Sequence, residues 1–443
     1  MAEYSKPKNK AEFDKNFEQE YPLMNQTEAY YESSRCLFCY DAPCINACPT
    51  GIDIPLFIKQ INSGNVIGAA KTIYEQNYFG SACGKVCPTE VLCEGACVYN
   101  HQDVKPIDIG RLQNFASQTA IKQKVKIFTK GKANRKKVAI IGAGPAGIAC
   151  ACELRTLGYK VDIFEAKAHP SGLTIYGVAP YKITNEEALE EVKYLQKQLG
   201  FEIHYKKPIR NKKDLAKLEK DYHAIFLGIG LGATRSLNIK GEDLDNCFGA
   251  VEFIEKLRIK QHKTKVGQKV IVLGGGNTAM DASSESARLG AEEVILAYRR
   301  SKDAKGAYPF EYDLAKQVGV KGLFNVSPVR IMAKQGKVAG VKFIRTKSVR
   351  GKLTEIEGSE FVEACDMVIK ATGQSKQVAF LEQIDGLEVD AKGRIIANES
   401  FQTTNPKYFA AGDSVNGGAE VVNAVAEAKV AAQGIHQFIT NNK

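Results

Sequence analysis

A short apolar run, Val138-Ala-Ile-Ile141, leads into Gly142-Ala-Gly-Pro-Ala-Gly147 and a helix-forming stretch from Ala146 to Leu157. The same grammar returns 132 residues later, counting from Gly142 to Gly274. There Val270-Ile-Val-Leu273 precedes Gly274-Gly-Gly-Asn-Thr-Ala279, a helical stretch to about Leu289, Gly290 and the strand-like Val294-Ile-Leu-Ala297. Strand, glycine turn and helix in that order are the context of a nucleotide-binding α/β unit, and the repeat is an internal duplication of that architecture. The expected fold class is α/β: an N-terminal all-helical domain, then two nested Rossmann-like nucleotide-binding domains.

In the first loop Gly142 permits the tight turn, Gly144 lets the backbone approach a pyrophosphate, and Gly147 allows close helix–strand packing. The phosphates would face unpaired N–H groups at the helix N-terminus. Glu165 ends the second strand, 23 residues after Gly142, placed to accept hydrogen bonds from ribose hydroxyls. The second loop offers Gly274, Gly276 and Ala279, with Asn277 and Thr278 between them, and no acid ends its second strand. Arg299 and Arg300 stand there instead, which suits a 2′-phosphate and favours NADPH over NADH. The plainer alternative is two arginines facing solvent. Two nested dinucleotide sites are characteristic of flavoprotein reductases, so FAD is expected on the first and the nicotinamide on the second. Gly412-Asp413, after Tyr408-Phe-Ala-Ala411, then has an expected role on the flavin's ribityl chain.

Eight of the twelve cysteines precede these loops in two groups: Cys36, Cys39, Cys44 and Cys48, then Cys83, Cys87, Cys93 and Cys97. Structural zinc prefers paired C-x2-C knuckles, whereas iron–sulfur clusters draw on compact runs ending in Cys-Pro, as at Cys48-Pro49 and Cys87-Pro88. Upstream of two nucleotide loops, iron–sulfur is the favoured reading and zinc the alternative. Cys247 and Cys365 are isolated, and Cys150-Ala-Cys152 lies in the helix after the first loop, where packing explains it better than thiol exchange.

The chain of 443 residues has room for about three domains. Its apolar stretch Val138 to Cys152 is too short to span a bilayer, and the N-terminus lacks an apolar signal region, so a soluble, cytoplasmic protein without a membrane role is expected. Net charge is +11, but Lys and Arg are dispersed. That reads as a solvated surface, or as attraction to phosphorylated cofactors or an acidic partner, not as a nucleic-acid interface. The expected domains are 1–130, helical and built around the cysteines; 131–250, the first part of the FAD domain; 251–370, the NAD(P) domain; and 371–443, the second part of the FAD domain. Within the first, Thr27 to Ser34 reads as a capped helix, and Ile54, Phe57, Ile58 and Ile61 recur at helical spacing.

Cys36-Leu-Phe-Cys39-Tyr-Asp-Ala-Pro-Cys44, Cys87-Pro-Thr-Glu-Val-Leu-Cys93-Glu-Gly-Ala-Cys97 and Pro106-Ile-Asp-Ile-Gly-Arg-Leu-Gln113 resemble the N-terminal half of dihydropyrimidine dehydrogenase. They are also similar to the separate bacterial subunit matching that half, and to the glutamate synthase small subunit. The resemblance implies two [4Fe-4S] clusters, FAD and NADPH or NADH as electron donor. By matched motif, one cluster would use Cys36, Cys39, Cys44 and Cys97. The other would use Cys48, Cys87, Cys93 and Gln113, although spacing alone points to Cys83. The segment Gly172-Leu173 to Lys182 matches a flavin-lining stretch, with Ser171-Gly172 where many relatives have Gly-Gly, and Ala371-Thr-Gly373 matches a strand end near the nicotinamide. The implied function is an electron-input subunit in pyrimidine catabolism, passing electrons to an FMN-containing dihydroorotate-dehydrogenase-like subunit that reduces uracil or thymine. The alternative recipient is the glutamate synthase large subunit. A third reading makes the N-terminal region a zinc-stabilised docking module. No side chain is assigned to acid–base catalysis.

Overall fold

The computed structural model describes residues 4–441. The first 122 residues hold helices α1 (Lys10–Asn16), α2 (Gln26–Ser34), α3 (Pro43–Asn46), α4 (Ile54–Asn62), α5 (Val66–Gln76), α6 (Gly80–Val86) and α7 (Ile109–Lys122). Next come β1 (Lys137–Ile141), α8 (Pro145–Thr156), β2 (Lys160–Phe164), α9 (Leu173–Tyr176), α10 (Asn185–Leu199), β3 (Glu202–His204), α11 (Lys212–Asp221) and β4 (Ala224–Leu227). The second repeat follows as β5 (Cys247–Gly249), α12 (Ala250–Lys260), β6 (Lys269–Leu273), α13 (Asn277–Arg288), β7 (Glu293–Tyr298), α14 (Pro309–Gln317) and β8 (Lys321–Phe324). Strands β9 (Val326–Lys334), β10 (Lys337–Val349), β11 (Lys352–Glu355), β12 (Phe361–Ala364) and β13 (Met367–Lys370) lead to α15 (Val378–Leu381), β14 (Tyr408–Ala410), α16 (Asp413–Asn416) and α17 (Val421–Asn441).

The chain divides into two compact units. One comprises Gln19–Ile175, Lys182–Leu231 and Lys376–Lys443, and so joins the cysteine-bearing helices to the first glycine loop. Its five-stranded sheet runs β14-β4-β1-β2-β3, all parallel. After the exposed Lys137 that opens β1, β1 and β4 are apolar and buried because helices and loops cover both faces, the usual condition of a parallel sheet. Ala139, Ile141, Ile225, Leu227, Tyr408 and Ala410 supply one buried face. α4 buries the expected Ile54, Phe57, Ile58 and Ile61. The helix anticipated from Thr27 starts at Gln26, because Asn25 is the N-cap and forms a capping box with Glu28. The basic stretch before β1 is anchored, with Phe128 buried against the Tyr74 and Tyr78 rings at 5.7 and 5.5 Å.

The other unit comprises Met1–Glu18, Tyr176–Tyr181 and Gly232–Ser375. Its parallel sheet runs β5-β13-β6-β7-β8. One face carries Val270, Val272, Leu296 and Ile369 beneath Phe253 and Leu257 of α12. Phe13 and Phe17 join this core, so α1 belongs with the second glycine loop rather than with the cysteine helices. The opposite face, with Ile271, Leu273, Ile295 and Val368, is covered by Val326, Ile331, Val341 and Phe343 of an antiparallel sheet in which β10 pairs with β9, β11 and β12. This unit extends beyond residues 251–370, because β5 pairs with β13 and Gly232 binds the Ser375 carbonyl. Among the described residues no helix is long and apolar enough to cross a membrane.

Candidate functional site

Cys36, Cys39, Cys44 and Cys97 line one apolar cavity, walled by Ile54 and Ile58 of α4 and by Ile107 and Ile109 at the start of α7. The chain reaches it through a left-handed turn at Phe38 (φ 51°), which lets Cys36 and Cys39 face the same space. Burial pushes the Cys44 thiol up to about 12, reinforced by Cys36 and Cys97, and the Cys36 thiol also rises through burial. Four sulfurs gathered in one apolar wall are a donor set needing positive charge, which a cluster supplies.

Cys48, Cys83, Cys87 and Cys93 form the second group. The Cys87 thiol is raised first by its hydrogen bond with Cys83, then by burial and by Cys93 and Cys48. The Cys93 thiol rises through burial, with Glu94, Cys48 and Cys44 adding to it. Cys44 thus ties the two groups together. Gln113 lies buried on α7, where its Nε2 donates to the Gly80 carbonyl at 2.7 Å. That bond orients the amide and leaves Oε1 without a hydrogen-bond partner among the described residues. Two side chains therefore contend for the fourth position: Cys83 by its sulfur contact with Cys87, Gln113 by its free oxygen. Cys150 and Cys152 are wholly buried in α8, and burial pushes both thiols up, as packing residues behave.

At the first nucleotide loop Gly142 has φ 102°, and an added Cβ would strike the Gly228 carbonyl. Gly144 is different: the nearest atom to its would-be Cβ is the Gly172 Cα at 3.9 Å, and α8 begins at Pro145 with no side-chain cap on its N-terminal N–H groups. This is the cradle that a pyrophosphate needs. Glu165 is buried, its two oxygens accepting the Ala143 and Lys167 N–H groups at 2.7 Å each. The carboxylate is therefore fixed at the loop, with further lone pairs left for hydroxyls. Gly172 closes against Gly144, and Ser171 before it holds φ 77°, a left-handed conformation that explains why glycine serves well at that position. Leu173 opens α9, and Lys182 is buried. Gly412 sits against Ala146 of α8, its N–H bound to Glu427 at 2.7 Å. Asp413, raised by burial, accepts the Ala419 N–H at 3.2 Å. Loop, acid and Gly-Asp turn thus converge within one unit. The anchoring role of Glu427 carries no sequence signature.

At the second loop Gly276 caps α13 and has open space where a Cβ would be, while Thr278 is exposed. Asn277 is committed to structure, its Oδ1 accepting the Tyr308 N–H at 3.0 Å. Arg299 and Arg300 follow β7, exposed and without an ion pair among the described residues. The Ala371 carbonyl crowds Gly274 at the end of β13, and Gly373 (φ 86°) accepts the Arg235 N–H at 2.9 Å. Arg235 is a third cation beside this loop system, which its position outside any motif concealed.

Residues 13–125 match the family described as dihydropyrimidine dehydrogenase domain II, 4Fe-4S cluster, and residues 136–428 match pyridine nucleotide-disulphide oxidoreductase. The first match removes the zinc alternative. The chain is 34% identical over 442 residues to the glutamate synthase [NADPH] small chain of Escherichia coli K12, covering 95% of this chain and 93% of that one. It is equally 34% identical over 420 residues to the E. coli K12 NAD-dependent dihydropyrimidine dehydrogenase subunit PreT, covering 94% and 96%. Mycobacterium tuberculosis FprA in complex with NADPH superposes with a TM-score of 0.58 at 20% identity over 69% of this chain and 85% of that one, a likeness of fold. FAD, iron–sulfur and NAD(P)H binding follow, and the chain belongs to the pyridine nucleotide-disulphide oxidoreductase family, as an NAD(P)H-dependent flavin and iron–sulfur electron-transfer subunit with an N-terminal 4Fe-4S domain of the dihydropyrimidine dehydrogenase type.

Proposed function

We propose that this chain is the electron-input subunit of a pyrimidine reductase, delivering NAD(P)H electrons to an FMN-containing dihydroorotate-dehydrogenase-like partner that reduces uracil or thymine to the 5,6-dihydropyrimidine. The match of residues 13–125 to the dihydropyrimidine dehydrogenase cluster domain carries this reading. The glutamate synthase reading rests on an equal identity over an equal share of the chain, and it changes only the recipient.

The residues divide the labour. Gly142, Gly144 and Gly147 would admit the FAD pyrophosphate, Glu165 would accept its ribose hydroxyls, and Gly172, Leu173, Lys182, Gly412 and Asp413 would line the flavin. Gly274, Gly276, Asn277 and Thr278 would receive the nicotinamide dinucleotide, Arg299 and Arg300 would pair its 2′-phosphate, and Ala371 and Gly373 would border its far end. When bound, FAD accepts a hydride and releases single electrons, which is the cofactor's own chemistry. The protein would position it. Cys36, Cys39, Cys44 and Cys97 would hold one cluster; Cys48, Cys87, Cys93 and Gln113 the other, with Cys83 as the alternative fourth ligand.

The decisive experiment is anaerobic purification from the native host with identification of what accompanies the chain. An FMN-bearing partner with uracil-reducing activity supports the proposal. A large amidotransferase-bearing partner overturns it in favour of glutamate synthesis.

A further inference from the structure

Glu191 of α10 is wholly buried, with 0% of its surface exposed. Its Oε1 accepts the Tyr74 hydroxyl at 3.0 Å and the Ser81 N–H at 2.7 Å, and its Oε2 accepts the Ala82 N–H at 2.9 Å. Ser81 and Ala82 open α6, the helix that carries Cys83 and ends at Cys87. One turn earlier on α10, Glu187 meets Lys85 of the same helix at 2.6 Å. Two carboxylates on α10 therefore grip α6 at its two ends, and α10 begins three residues after Lys182.

Among the described residues no cation balances Glu191. The Lys85 ammonium is spent on Glu187 and on Gln19 at 3.0 Å. The titratable groups facing Glu191 are Tyr74 from α5, Tyr194 from α10 and Cys152 from α8, none of them cationic. Burial pushes the carboxyl up to about 7, against the three hydrogen bonds that lower it. A buried carboxylate held this close to neutrality answers small changes in nearby charge.

We infer that Glu191 is a positioning residue for the second cluster and takes up one proton when that cluster gains an electron. The inference rests on the cluster assignment proposed above. The electron comes from flavin reduced by NAD(P)H, the proton comes from solvent, and one O–H bond forms on Glu191 while no ligand bond breaks. The physical link is α6, seven residues and about 10 Å long, which is rigidly capped by Glu191 and delivers Cys87 at its other end. Negative charge added at that distance in a buried setting raises proton affinity on the order of tenfold.

The test uses the anaerobic holoenzyme with iron and sulfide quantified first. Potentiometric titration followed by electron paramagnetic resonance, at pH 6 to 9, should show one of the two clusters becoming about tenfold harder to reduce, about 59 mV for one electron. In Glu191→Gln that potential should become independent of pH and stay near the wild-type acid value. Tyr74→Phe removes a donor to Glu191 without changing charge, so it should move the break to higher pH even if the glutamine variant fails to fold. Reduced-minus-oxidised infrared spectra should gain a protonated carboxyl band that Glu191→Gln lacks. Fully loaded protein with pH-independent potentials and no such band overturns the inference alone. Protein without iron and sulfide overturns the cluster assignment and this inference with it.

Discussion

Arg299 and Arg300 end β7 in solvent, and neither is engaged by a carboxylate among the described residues. Free guanidiniums just past β7, which pairs with the strand leading into the second glycine loop, are available to a phosphate, and a charge-assisted hydrogen bond there contributes about 1.5–3 kcal/mol. Replacing both with Ala should therefore raise KM for NADPH by roughly ten- to a hundredfold while leaving NADH nearly unchanged. Steady-state kinetics with both nucleotides checks this, and an equal effect on each would remove the 2′-phosphate assignment. The cysteines permit a second prediction at this scale. Cys44→Ser should spare NAD(P)H reduction of FAD but stop transfer to the partner, as stopped-flow flavin bleaching alongside partner turnover would reveal. These candidates could be named from the sequence because residue type and spacing are local properties. The sequence posed the contest between Cys83 and Gln113 but held nothing to weigh it with, since that depends on which group α6 and α7 bring to the same point.

The contact between α6 and α10 sets the next scale. Lys85 is buried, with 2% side-chain exposure, and its partner Glu187 is largely buried. Burial tends to raise the Glu187 carboxyl, but the Lys85 hydrogen bond and charge outweigh it and hold it below the ordinary value. Its contribution is thus present above the unfolded pKa and is lost as pH falls through the folded one. Lys85→Met would leave that carboxylate without its cation, at a cost of about 3 kcal/mol, and should lower the denaturation midpoint, with Lys85→Arg costing less. Glu191 behaves in the opposite sense. Its folded pKa, about 7, lies above the ordinary 4.5, so the folded state binds the extra proton between them. Stability should accordingly fall as pH rises from 4.5 to 7 and then level off, and Glu191→Gln should flatten that dependence in thermal unfolding measured across the range. Neither pair announced itself in the sequence. Glutamates four apart on a helix are ordinary surface residues until the fold buries them.

For the whole molecule, iron and acid-labile sulfide near eight each per chain are expected for two [4Fe-4S] clusters, measured on anaerobically prepared protein. About half of that would leave only one cysteine group loaded. Two strand–glycine loop–helix repeats, the cysteine runs and the arginines after β7 were determined by the sequence itself, because strand period, turn geometry and ligand chemistry are local properties. Only the tertiary structure decided that Phe13 and Phe17 complete the core around α12 and β6, far along the chain from them. It alone placed the antiparallel sheet of β9 to β12 over the face of the second parallel sheet left without helices. It alone converted Glu191 from one glutamate among many into a buried, unbalanced charge at the head of the cysteine helix. Burial and long-range partnership arise from how segments meet in three dimensions, and no stretch of sequence contains both sides of such a contact.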